Sequence, residues 1–260
     1  MFSVQPSELM KILVVIALAK YYSELDLEYL GFREYVIGGL IVFAPMLLVI
    51  LQRDLGTAVT FLPIYGVLTC LAGIRRRHLV VLLLAAAVAV PAAWFFLRGY
   101  QQSRIEAVFN PSIDPQGLGY QARQSEIAIG SGRLLGKGFK RGSQGQGGFL
   151  PARHTDFVFA VLSEEKGFVG SITILGLFLL VAARLFRAAR EAKDKVGSLI
   201  VVGVLALLLF HVMINIGMVV GLLPIAGIPL PFVSAGGSSL ISFFIGMSLC
   251  MNVRVRRYVN

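Results

Sequence analysis

Long apolar runs separated by short polar breaks cover most of this chain, and that pattern sets its class before any single residue is weighed. Seven runs, at about 9–22, 36–52, 55–73, 79–97, 157–185, 196–220 and 238–253, are built mainly of Leu, Val, Ile, Phe, Ala and Gly. A helix of roughly 20 mainly apolar residues crosses the hydrocarbon core of a bilayer. The pattern therefore predicts an all-α polytopic membrane protein with about seven transmembrane helices. The first run is the shortest and carries Lys11 and Lys20. Between the fourth and fifth runs lies one long polar stretch, 98–156. A connection of that length rarely lacks structure of its own. Within it, 103–109 and 120–129 predict short amphipathic helices, the second with Ala122, Ile127 and Ala128 among polar neighbours. Glycines 130, 132, 136, 138, 142, 145, 147 and 148 then predict turns and close backbone approaches. No repeat or linker divides the chain, so it reads as one membrane domain over 1–260.

Composition agrees with the pattern. The 260 residues are 57% hydrophobic and only 15% charged, with a mean hydropathy of +0.79, outside the range of soluble domains. The net charge of +10 needs no nucleic-acid partner, because the cations gather in short loops, as the positive-inside bias requires. Arg75, Arg76 and Arg77 form one cluster, Arg184, Arg187, Arg190, Lys193 and Lys195 a second, and Arg254, Arg256 and Arg257 a third. By alternation all three share a side, which the rule places in the cytoplasm. The C-terminus is then cytoplasmic, and the large loop is extracytoplasmic, beyond the reach of cytosolic ATP. Cys70 and Cys250 lie in separate apolar runs, without disulfide or metal-ligand spacing. The opening MFSVQPSELMK has no basic region and no small-residue cleavage site, so a removable signal peptide is not expected.

Three constellations could carry chemistry. In GSGRLLGKGF the glycine spacing does not fit a phosphate loop, and Lys137 is followed by Gly138 instead of Ser or Thr. What remains is a glycine-rich strip with Arg133, Lys137, Lys140 and Arg141. It reads either as a solubilising loop touching anionic lipid or as a clamp for a diphosphate. In LPARHTDFVFAVLSEEKGFVG, Thr155 or Asp156 can cap the fifth apolar helix. The helix dipole favours the Asp156 anion, which suits a divalent-cation ligand or an electrostatic anchor better than a strong base. Arg153 and His154 add a cation and a proton carrier. Glu164 and Glu165 follow two to three turns later, where a carboxylate must be paired or face a polar cavity. The third group is Glu8 and Lys11, three apart and able to pair on one helix face or to line an intramembrane cavity. Gly56, Thr57, Ser234, Gly236, Gly237, Ser238 and Ser239 read first as packing residues.

Taken together, QPSELMK, LQRDLGTA, QSEIAIGSGRLLGKGF, LPARHTDFVFAVLSEEKGFVG and GLLPIAGIPLPFVSAGGSS strongly resemble the SEDS family (shape, elongation, division and sporulation), with the loop closest to its RodA branch. The resemblance runs nearly end to end. It implies a ten-span bundle, of which this chain is similar to the last seven, without the first three. It also implies a peptidoglycan glycosyltransferase in the bacterial inner membrane, polymerising lipid II for cell-wall elongation and rod shape. Its partners would be a class B penicillin-binding protein and other membrane proteins of the elongation complex. Asp156 matches the family's essential acidic residue, and Glu8 and Lys11 match the pair lining its central cavity. From charge and position, Arg53, Lys137, Lys140 and Arg153 are expected near a diphosphate, with His154 beside the substrate and Mg or Mn as a possible cation on Asp156. A lipid II flippase and a scaffold without a reaction of its own are the alternatives.

Overall fold

The structure is a computed structural model that describes residues 5–25, 29–75, 77–78, 80–81, 84, 87–88, 91, 95, 99–109, 117–150, 152 and 154–257. Helices are α1 (Pro6–Ser23), α2 (Phe32–Leu51), α3 (Leu55–Val59), α4 (Phe61–Gly73), α5 (Gly99–Phe109), α6 (Leu118–Ser131), α7 (Ser143–Gln146), α8 (Val158–Arg190), α9 (Lys195–Val219) and α10 (Gly237–Arg256). No strand occurs among the described residues. Helices α2, α8, α9 and α10 are each long and apolar enough to cross a membrane, as is Leu55–Gly73, which joins α3 and α4. The chain is a multi-pass membrane protein. Helix α1 has 18 residues but carries Glu8, Lys11 and Lys20. The fourth expected span, 79–97, falls largely outside the described residues. Helices α5 and α6 coincide with the two short helices expected within the loop.

Packing divides the chain into two compact units, each assembled from discontinuous segments; this is why no linker in the sequence marks them. The first comprises Met1–Val90, Val181–Phe210 and Gly237–Asn260. In it α1 packs against α2, α4 and α10. Tyr22 is fully buried and its hydroxyl meets Thr69 Oγ1 at 3.0 Å. A Cβ at Gly38 would collide with that hydroxyl, so glycine is what lets α2 approach α1. Across the C-terminal part of this unit, Arg257 pairs with Glu191.

The second unit comprises Pro91–Leu180 and His211–Gly236. Helix α6 is pinned by Ser125, whose buried hydroxyl donates to Val219 O at 2.9 Å. Helix α8 is broken at Gly167, where φ is 66° and ψ is −163°. The break frees backbone groups on both sides, and the glycine-rich turn satisfies them. The N–H groups of Phe168 and Val169 donate to Arg133 O and Leu134 O at 2.8 and 3.1 Å. In return, Lys137 N and Gly138 N donate to Glu164 O and Glu165 O, both at 3.0 Å. The turn is thus spliced into the helix. Such an approach leaves no room for side chains: a Cβ at Gly132 would strike Ser163 O, and one at Gly136 would strike Glu165 O.

Candidate active site

Asp156 stands just ahead of α8, in a segment held by its carbonyls. The N–H groups of Thr155, Asp156 and Phe157 converge on Ala152 O at 3.1, 3.0 and 3.2 Å. The cap expected from Thr155 or Asp156 thus takes another form, in which backbone turns lead into the helix and the Thr155 hydroxyl donates to Ala152 O at 3.4 Å. Three successive carbonyls are then each taken by a donor from the segment 211–236. Ala235 N donates to His154 O at 2.8 Å, Ser234 Oγ to Thr155 O at 2.6 Å, and Asn215 Nδ2 to Asp156 O at 2.9 Å. Asn215 also donates to Ile228 O at 2.8 Å, and Ser234 Oγ accepts from Leu230 N at 2.8 Å. One amide and one hydroxyl therefore fasten the aspartate segment and the following loop together.

The side chain of Asp156 is half-buried. Burial pushes its carboxyl upward from the ordinary value, while the hydrogen bond from Thr155 and the charge of Arg104 pull it back only in part. The direction is opposite to what a helix dipole alone gives, because desolvation is the larger effect. A Cβ at Gly227, where φ is +69°, would lie 3.7 Å from Asp156 Oδ2, an ordinary van der Waals contact, so the 211–236 segment passes close beside the carboxylate. His154 is exposed. Arg153 lies outside the described residues.

Lys137 and Lys140 belong to the spliced turn. Lys137 Nζ pairs with Glu164 Oε1 at 2.8 Å and contacts Ser143 Oγ at 2.8 Å. Glu164 is fully buried and also accepts from Ser143 Oγ at 3.1 Å, from Gln144 N at 3.0 Å and from Gly145 N at 3.0 Å. Its charge is thereby matched by one cation and several dipoles, which is what permits its burial. Lys140 is exposed, and its backbone N–H donates to Glu165 Oε1 at 3.0 Å.

In the first unit, Lys11 Nζ and Glu8 Oε1 form a pair at 2.7 Å with side chains 1% and 6% exposed. The second Glu8 oxygen has no hydrogen-bond partner among the described residues. Three motifs far apart in sequence meet around this pair. Ser242 Oγ donates to Glu8 O at 2.7 Å, Gln5 N to Ser238 Oγ at 2.9 Å, and Gln5 Nε2 to Asp54 Oδ2 at 3.1 Å. Asp54 also caps α3 by accepting from Thr57 N at 3.0 Å. Arg53, beside it, takes the left-handed φ of 66°, uncommon for a residue with a side chain.

Asn215 escaped the sequence reading, and Ser234 and Ser238 read only as packing. A lone amide within VMINIGMVV was the available signal, since a polar group at that depth needs partners. Among the described residues no group of three or more His, Cys, Asp or Glu side chains gathers as a metal cage. Mg keeps several waters and substrate phosphates in its shell and needs only one or two carboxylates, and Asp156 could supply one.

The profile of the FtsW/RodA/SpoVE family, described as "Cell cycle protein", matches residues 1–259. Peptidoglycan glycosyltransferase MrdB of Escherichia coli K12 is 41% identical over 255 residues, covering 97% of this chain and 68% of that protein. A solved structure titled "Structural coordination of polymerization and crosslinking by a peptidoglycan synthase complex" is similar with a TM-score of 0.82 and 34% identity, over 100% of this chain and 72% of that one. The Rod shape determining protein RodA of Thermus thermophilus is similar with a TM-score of 0.67 and 30% identity, over 100% of this chain and 68% of that one. With nearly every residue matched, the chain belongs to the FtsW/RodA/SpoVE family of cell cycle proteins.

Proposed function

We propose that this chain is a peptidoglycan glycosyltransferase that polymerises lipid II at the outer face of the bacterial inner membrane, with Asp156 at its reacting centre. The observation that carries the catalytic assignment is a half-buried carboxylate whose own backbone and two neighbours are fastened by three separate donors. A catalytic group has to be held in place before the substrate arrives, and this one is.

The reaction forms a bond between the 4-hydroxyl oxygen of an acceptor sugar and the anomeric carbon of a donor. The bond from that carbon to undecaprenyl diphosphate breaks, and the diphosphate leaves with the electron pair. Asp156 accepts the hydroxyl proton, and a carboxyl shifted upward by burial is the better base for this task near neutral pH. Arg104 places a cation near Asp156, and His154 and Arg153 add polar and cationic groups to the same segment. In the alternative role, Asp156 would instead hold Mg or Mn, which would supply positive charge to stabilise the departing diphosphate. Lys137 is committed to Glu164 and shapes the turn. In the first unit, Glu8 and Lys11, buried as an ion pair, and Arg53 are the further residues assigned to substrate binding. The crosslinking partner is a class B penicillin-binding protein.

Labelled lipid II given to the purified chain with its class B partner, with and without divalent cation, should yield long glycan. Asp156→Ala should yield none while remaining in the membrane. Glycan from Asp156→Ala would remove Asp156 from the reaction. Lipid translocation that survives this substitution, without glycan from the unsubstituted chain, would favour a transporter instead.

A further inference from the structure

The glycine-rich turn displays apolar side chains that the catalytic site does not use. Leu134, Leu135 and Phe139 are 68%, 80% and 69% exposed. In water such a cluster would be costly. Its position explains it: the hydrogen bonds from Phe168 N and Val169 N to Arg133 O and Leu134 O attach the turn at the start of the straight part of α8. That part, 168–190, is about 34 Å long at 1.5 Å per residue, enough to cross the hydrocarbon core by itself. Its first residues, Phe168 and Val169, are exposed in turn, at 60% and 53%. The apolar side chains of the turn thus sit beside the end of a lipid-facing helix surface.

Cations surround this cluster. Arg133, Lys140 and Lys166 are exposed, and the ammonium groups of Lys140 and Lys166 lie 5.6 and 5.8 Å from the centre of the Phe139 ring. Apolar side chains next to Lys and Arg are the pattern of a segment lying at a bilayer interface, with its greasy face among the upper acyl carbons and its cations at phosphate level. Phosphatidylglycerol-type head groups supply the matching charge.

We propose that the turn 133–140, together with Lys166, is an interfacial anchor that inserts Leu134, Leu135 and Phe139 into the leaflet on the side of the large loop and binds anionic phospholipid through Arg133, Lys140 and Lys166. The anchor fixes the height of the spliced turn, and through it the first segment of α8, against the membrane surface. It does not depend on the catalytic reading. Loss of lipid binding leaves the role of Asp156 intact, and loss of the role of Asp156 leaves the anchor intact.

Depth and charge can be tested separately in the full chain. With Trp94→Phe removing the single tryptophan, Leu135→Trp is reconstituted in vesicles whose lipids carry bromine at shallow, middle or deep acyl positions, with Leu177→Trp calibrating depth on the spanning segment. Shallow bromines should quench the tryptophan at 135 at least twofold more than deep ones. Water-like emission without quenching overturns the insertion. Native mass spectrometry from mixed phosphatidylglycerol and phosphatidylcholine should show a several-fold preference for the anionic lipid. The triple variant Arg133→Gln, Lys140→Gln, Lys166→Gln should lose that preference, and an unchanged preference overturns the head-group assignment. Displacement of the retained phosphatidylglycerol by stoichiometric undecaprenyl diphosphate would also overturn it, by giving these cations to the substrate.

Discussion

Asp156 shows how much a single carboxylate depends on its surroundings. Position ahead of a helix favours its anion, yet burial outweighs this and moves the carboxyl upward. As a base it must be ionised, so activity should fall on acidification at a pH above the usual aspartate value of about 3.9. A kcat profile whose acid limb lies at or below that value would contradict the burial argument. The stability linkage has the matching sign. A group whose folded pKa is raised contributes stability below its unfolded pKa and loses it as pH rises through the folded one. Asp156→Asn should therefore be inactive yet melt no lower than the parent chain at pH 7, as measured by thermal unfolding in detergent. Asn215 supplies the opposite case. Asn215→Leu leaves two carbonyls without their donor, at about 1–3 kcal/mol for each buried unsatisfied group. It should lower both thermal stability and kcat, whereas an unchanged kcat would mean that Asp156 holds its place without the clamp.

At the level of elements, the break in α8 and the glycine-rich turn are one device. Each makes groups that the other needs: two N–H groups and two carbonyls on the helix meet two carbonyls and two N–H groups on the turn. Gly167 is the hinge of the arrangement, since it combines a φ of 66° with a close approach to Gly136 N. Gly167→Ala should cost about 1–3 kcal/mol for the backbone conformation alone, and the collision adds to it. Gly148→Ala also sits at a positive φ, 75°, but meets nothing within 4 Å, so it should cost less. Comparison of the two melting temperatures isolates the splice, and equal losses would argue against it. The glycines were legible in sequence as turns and close approaches. Their partners were not, because Ser163 to Val169 read as uninterrupted helix.

On the scale of the whole molecule, the charge clusters predict which side of the membrane each connection faces. In a background without Cys70 and Cys250, Ser143→Cys should react with a membrane-impermeant maleimide on intact cells. Lys193→Cys should react only after permeabilisation. Reversed labelling would invert the orientation and move Asp156 away from the outer face. The packing into two units from discontinuous segments also explains why the polar motifs are scattered in sequence. QPSELMK, LQRDLGTA and the serines near the last span are remote in the chain but meet around Glu8.

The sequence by itself determined the class and most of the helices, and it singled out Asp156 as the candidate carboxylate. Hydrophobic run length and a lone acid at a helix entrance are local properties, readable without knowing what lies across the fold. Tertiary structure alone decided how that acid is held, with Asn215, Ser234 and Ala235 each taking one carbonyl of His154 to Asp156, and how Glu164 is buried beside Lys137. Hydrogen bonds between segments some 20 to 80 residues apart leave no periodic trace, because a backbone carbonyl is the same in every residue. Only the packing that brings a donor to it selects which one matters.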